Sequence, residues 1–215
     1  MLRRKGISIL LLALTICGCS RYVTQIVTYG SQMTVEVTFR GNLDVNENRY
    51  FLILSTQDAY SLPIPPPEGG SLDEFLEPGD TPRLGDRSTY FTNYYSTWHS
   101  YIILDSLGYF LAKGPFSATD PITRESVATY SAASSKFTFT IRLERIFGAA
   151  IPDYIYFDVV SADYPTDAQK FLKDHIAPPG QKISKILGSL LSQTDEQKSD
   201  IDPSQDIISW SVKIE

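Results

Sequence analysis

Strict alternation of apolar and polar residues constrains this chain more than any other feature. In Met33-Thr34-Val35-Glu36-Val37-Thr38-Phe39, the residues Met33, Val35, Val37 and Phe39 share one side of an extended backbone, and Thr34, Glu36 and Thr38 share the other. The pattern returns in Phe137-Thr138-Phe139-Thr140-Ile141-Arg142-Leu143 and in Trp210-Ser211-Val212-Lys213-Ile214-Glu215. A period of two with one wet face is what antiparallel strands require. Tyr50-Phe51-Leu52-Ile53-Leu54 is apolar on both faces and suits a central strand. Weaker runs at 22–28, 90–95, 98–104, 109–112 and 154–160 bring the total to about nine strands separated by turn residues. The pattern predicts a mainly β fold, an antiparallel β-sandwich of jelly-roll or immunoglobulin-like kind, with a barrel as the alternative closure.

Helical spacing is confined to the C-terminal third. After Pro165, Thr166 or Asp167 can cap a turn carrying Phe171, Leu172, His175 and Ile176, which Pro178-Pro179-Gly180 stops. Ile183, Ile186, Leu187, Leu190 and Leu191 then follow at i, i+3, i+4, i+7 and i+8. One or two short helices are expected, so that residues 166–206 form a helical insertion and a polar linker. Their apolar stripe would line the open edge of the sandwich, or dock a partner or a membrane.

Between the expected strands at 50–56 and 90–95 lies SLPIPPPEGGSLDEFLEPGDTPRLGDRS, residues 61–88, with six prolines and four glycines. Structureless connections beyond about 12–15 residues are uncommon in compact domains. Such a segment either covers a binding surface or is a mobile excursion. The stretch YFTNYYSTWHSY follows at once, and on strands its rings would point to both faces. Tyr94, Tyr95, Trp98 and Tyr101 are therefore the candidate ligand-binding residues, since exposed rings stack on sugars or anchor protein partners. The competing reading is cross-strand packing in a tyrosine-rich core.

No catalytic constellation stands out. His99 and His175 are the only histidines, and no zinc-protease, nucleophile-elbow, Walker or dinucleotide pattern occurs. Asp44, Asn46 and Asn48 are spaced like calcium ligands, but Arg49 and Ser55 stand where an EF-hand needs its glycine and glutamate. GNLDVNENRY reads better as a link rich in Asx turns. No enzyme activity, metal or cofactor is expected, and a hydrolase ranks below a binding or structural module.

The N-terminus supplies an address. Arg3, Arg4 and Lys5 precede an oily run from Ile7 to Ile16, the order of a secretory signal peptide, and the run is too short to span a membrane as a permanent helix. Ile16-Cys17-Gly18-Cys19 resembles the lipobox of bacterial lipoproteins. That resemblance implies a signal peptide over 1–18, cleavage before Cys19, and a diacylglycerol on the Cys19 thiol, with a single extracytoplasmic β-sandwich domain over 19–215. The alternatives are an ordinary cleaved signal with Cys19 free, or a strained Cys17–Cys19 disulfide.

Cleavage there leaves 16 basic residues against 25 acidic ones, a net charge of −9. So acidic a chain is a poor partner for nucleic acid or for anionic lipid by charge alone. Acyl chains would hold it at the cell envelope, extracytoplasmic, on an outer membrane facing periplasm or on the cell surface. Its partners would be the membrane through that lipid and a glycan or envelope protein.

The order of alternating strand, Gly-Asn-x-Asp turn, aromatic strand, DYIYFDVVSAD and a closing ISWSVKIE is similar to sandwich domains of the DOMON and family 9 carbohydrate-binding kind. The resemblance implies a sandwich and makes carbohydrate binding the second functional reading. The haem ligands and sugar-binding tryptophans of that group have no counterparts at matching positions.

Overall fold

The structure is a computed structural model that describes residues 27–131 and 133–215. The signal peptide expected over 1–18, Cys19 and most of the strand expected over 22–28 lie outside the described residues. Strands take 39 % of the described residues and helices 8 %, so the period of two governs the architecture.

Eleven strands are seen among the described residues: β1 (Gln32–Phe39), β2 (Asn48–Ser55), β3 (Ser100–Asp105), β4 (Gly108–Lys113), β5 (Arg124–Ala128), β6 (Lys136–Arg142), β7 (Tyr154–Asp163), β8 (Leu172–His175), β9 (Gln181–Ser184), β10 (Leu190–Thr194) and β11 (Ile207–Ile214). Two short helices, α1 (Arg87–Asn93) and α2 (Leu143–Phe147), interrupt them. One sheet has the order β10-β11-β1-β6, and the other runs β5-β4-β3-β2-β7-β8 with β9 also on β7. All pairings are antiparallel, and the two sheets stack as a sandwich without closing into a barrel.

The alternation read from β1 sets the inner layer. Met33, Val35, Val37 and Phe39 are buried and pack with Phe137, Phe139 and Ile141 of β6 and Trp210, Val212 and Ile214 of β11. Tyr50, Leu52 and Leu54 of β2 close this core from the facing sheet. The turn before β2 is the Asx turn expected, Asp44 Oδ1 accepting from the amides of Asn46 at 3.0 Å and Glu47 at 3.4 Å.

The larger sheet is buried on its outer face too. Phe51, Ile53, Tyr101, Ile103, Val160 and Ala162 point away from the sandwich into a second core. Phe75, Leu76, Tyr90, Tyr94, Tyr95 and Trp98, from the segment between β2 and β3, cover them. The Pro-rich stretch is thus a packed third layer. Phe51 meets Phe75 edge-on at 5.0 Å between centroids, and each buried ring contributes about 1.5–3 kcal/mol of hydrophobic stabilisation.

Three expectations are corrected. Residues 90–95 form no strand: Asp86 Oδ1 accepts from the amides of Ser88 at 2.8 Å and Thr89 at 3.0 Å, capping α1, which runs through Tyr90. No helix forms in 166–206, where Leu172 and His175 belong to β8, Ile183 to β9, and Leu190 and Leu191 to β10. Their helical spacing arises because two short strands in different sheets are joined by a tight link, and Gly188, at a φ of 84°, makes the turn. The polar run 192–206 is no free linker, for Asp206 is fully buried and accepts from Arg40 Nε at 2.6 Å.

Candidate functional site

The four aromatic candidates come together, but as core. Tyr94, Tyr95, Trp98 and Tyr101 expose 7 %, 6 %, 4 % and 0 % of their surface. Each polar tip is also used within the protein. Tyr95 Oη donates to the Leu76 carbonyl at 3.0 Å, Trp98 Nε1 to the Ser61 carbonyl at 2.8 Å, Tyr94 to Asp73 and Tyr101 to Glu77. An exposed stacking platform is therefore not what they form. The reason is the Pro-rich segment, which lies directly on them.

A shallow cleft of about 370 Å³ opens beside this cluster, lined by Thr56, Gln57, Phe91, His99, Pro115 and Phe116 among others. His99 packs on Phe147 at 4.8 Å, and burial, then the charge of Lys113, push its imidazole below the usual histidine range. The neutral ring is thus the favoured form of His99, wedged against Phe147. His175 is also structural: Nδ1 lies 2.9 Å from the Ile176 carbonyl, which fixes the tautomer with its proton there, and Nε2 is buried with no partner.

A second cleft has different chemistry. β8 and β9 share one edge of β7, pairing with Val160–Ala162 and Tyr154–Phe157 respectively. Between them the chain loops out through Pro178-Pro179-Gly180, opposite Asp158. Gly180 has a φ of 76°, a conformation open to glycine, and its amide donates to Asp158 Oδ2 at 3.2 Å. Asp158 Oδ1 has no partner, although Asp158 is fully buried.

The hydroxyl of Tyr60, also buried, is unpartnered as well. Asp158 and Tyr60 line one cavity of about 320 Å³ together with Asp58, Ser61, Leu62, Ile64, Pro179 and Gly180. No basic side chain is among them. Burial holds the Asp158 carboxyl well above the usual carboxylate range, and the amides of Gly180 and Val159 offset this only in part. Burial thus favours the neutral form of Asp158 in the folded chain. Burial likewise raises the Tyr60 phenol, and the nearby Asp158 carboxyl adds to it.

Several other buried charges are compensated. Arg124 donates to Glu77 from Nε at 2.7 Å and to Asp105 from Nη1 at 2.9 Å. Lys198 Nζ pairs with Asp174 at 2.5 Å, and Asp174 Oδ2 accepts from the Ile207 amide at 2.8 Å. Glu74 Oε2 accepts from the amides of Arg83 at 2.6 Å and Leu84 at 3.0 Å, pinning the Pro-rich layer. These groups hold structure, whereas Asp158 and Tyr60 leave hydrogen-bonding capacity facing a cavity. Unmet buried polar atoms are rare in folded proteins, which marks the Asp158 cleft as the candidate site.

Sequence reasoning passed over both residues. The available signal was Asp158 itself, an acid inside the otherwise apolar run Tyr154-Ile155-Tyr156-Phe157-Asp158-Val159-Val160. Among the described residues no cluster of three or more His, Cys, Asp or Glu could hold a metal ion, and no helix is long and apolar enough to cross a membrane. No family model, curated protein or solved structure matches the chain.

Proposed function

We propose that the chain is a lipid-anchored extracytoplasmic lipoprotein of the bacterial cell envelope that acts as a binding module, and that its ligand is a small organic cation bearing an amine. The lipobox-like Ile16-Cys17-Gly18-Cys19 behind a cationic head and an oily run supports the anchoring, with Cys19 as the acylated residue. The observation that carries the ligand class is the orphaned Asp158 Oδ1 in a cavity whose other titratable groups are Asp58 and Tyr60. No basic neighbour competes in the cavity, and an ammonium group brought against Asp158 would favour its ionised form, the carboxyl proton leaving to solvent and the ammonium pairing with the resulting carboxylate. A cavity of this size suits a short amine.

Titration with n-butylammonium and with n-butanol, followed through the amide resonances of Val159 and Gly180, tests the reading. The ammonium should bind saturably and at least about tenfold more tightly than the alcohol of the same shape, and Asp158→Asn should abolish the difference. Equal shifts from both probes, or none, would count against it. A glycan is the second reading, favoured by the aromatic cleft beside Phe91 and Phe116. In that case Phe91→Ala would abolish glycan binding and Asp158→Asn would leave it intact.

A further inference from the structure

Six of the nine large apolar side chains exposed among the described residues gather at one end of the sandwich: Val27, Tyr29, Tyr154, Ile186, Leu187 and Leu190. Each leaves between 43 % and 59 % of its surface in water. Backbone pairing draws them together. Tyr29 bridges Ile186, the Leu187 amide donates to the Thr28 carbonyl at 2.9 Å, and the Gly30 amide donates to the Lys185 carbonyl at 2.9 Å. Leu190 opens β10 opposite Lys213, and Tyr154 opens β7 opposite Ser184. The three remaining exposed side chains, Leu72, Leu84 and Leu107, lie elsewhere, Leu107 in the β3–β4 turn at the opposite end of the strands.

Lysines frame the patch. Lys185 Nζ sits 4.6 Å from the centroid of the Tyr29 ring, and Lys182 Nζ 5.3 Å from that of Tyr154. Lys185 also pairs with Asp153 at 3.0 Å, and Lys213 with Glu215 at 2.6 Å. Aliphatic side chains flanked by tyrosine rings and lysine stems are the composition of a membrane–water boundary, where apolar bodies sit below the headgroups and ammonium groups reach up to them. Contiguous exposed apolar surface of this kind marks a contact face.

The position of the patch names its occupant. Val27 stands eight residues after Cys19, and a fully extended chain of that length spans at most about 28 Å. Whichever end of the sandwich carries Val27 is the end tethered close to an acylated Cys19. We infer that the face formed by Val27, Tyr29, Ile186, Leu187 and Leu190 rests on the lipid surface and fixes the domain's orientation, with the Asp44–Glu47 turn and the β3–β4 turn pointing into solvent. This inference rests on the lipoprotein reading. Contact is apolar rather than electrostatic, as the acidic charge of the mature chain requires.

Accessibility of nitroxide labels tests it in the full-length chain, acylated and reconstituted in phosphatidylethanolamine–phosphatidylglycerol vesicles. With Cys17 cleaved away and the Cys19 sulfur acylated, Leu187→Cys, Leu190→Cys and Leu107→Cys each give one labelling site. Labels at 187 and 190 should collide more with oxygen than with a water-soluble nickel chelate, and the label at 107 should show the reverse. On a chain whose intact mass carries the Cys19 lipid, equal water exposure at all three positions would overturn the inference. Labels at 187 and 190 shielded from both reagents would overturn it too, since residues 20–26 or a second copy would then cover the face. An unacylated Cys19 in the same mass spectrum would remove the anchor, and the lipid-facing orientation with it.

Discussion

The indole Nε1 of Trp98 donates to the carbonyl of Ser61 at 2.8 Å, tying the aromatic run to the start of the Pro-rich layer that covers it. Trp98 also packs edge-on against Tyr95 at 5.1 Å, and both rings are nearly without solvent contact. Trp98→Ala and Tyr95→Ala should each lower stability by about 3–5 kcal/mol in urea denaturation, the range for deleting a large core ring. Losses within about 0.5 kcal/mol would mean that the rings are on the surface after all.

Arg124 pairs with both Glu77 and Asp105 in the second core's polar margin. Burial raises the Glu77 carboxyl, and the hydrogen bonds and charge of Arg124 pull it back. Arg124→Ala strands two largely buried carboxylates. The expected loss is about 3 kcal/mol, the low end for breaking a buried pair, because the Arg124 side chain keeps 33 % of its surface in water. Paired urea transitions of the wild type and the variant measure it, and an unchanged midpoint would contradict it.

Asp158 should give the protein a specific pH signature. Its carboxyl is protonated in the folded chain well above the ordinary carboxylate range, so between about pH 4 and that raised value the folded state holds a proton that the unfolded state has lost. Stability from this residue is therefore fully present below about pH 4 and declines as pH rises. Asp158→Asn, which cannot ionise, should gain on the wild type as pH rises above about 4 in parallel denaturation series. A difference that does not vary with pH would show that the carboxyl ionises freely.

A version of the chain beginning at Arg21 should give a β-dominated circular dichroism spectrum that reductant leaves unchanged, because it contains no cysteine. A mainly helical spectrum would contradict the fold.

The strands that were legible in sequence are those with one wet face. β1, β6 and β11 alternate because their outer side meets water, and β2 reads as central because both of its faces are covered. What was hidden depends on long-range packing. Ile183, Ile186, Leu187 and Leu190 mimic a helical stripe, yet only Ile183 of these is buried; the turn at Gly188 sends the chain from one sheet to the other. Tyr90 to Tyr95 read as strand because aromatic residues favour sheets, although Asp86-Arg87-Ser88-Thr89 already carried a helix cap. The Asp158 cleft could not be read at all from local pattern. Its acid lies on the outer face of β7, and only the third layer and the loop between β8 and β9 take that face out of water.

Intact mass spectrometry of the mature chain, purified from the membranes of an expressing bacterium, tests the envelope lipoprotein reading most directly. The expected species begins at Cys19 and carries the added mass of a diacylglycerol, with or without a further acyl chain on the new amine, and Cys19→Ala should accumulate as an uncleaved precursor without lipid. A mature chain with a free Cys19 thiol, or one cleaved elsewhere, would contradict it.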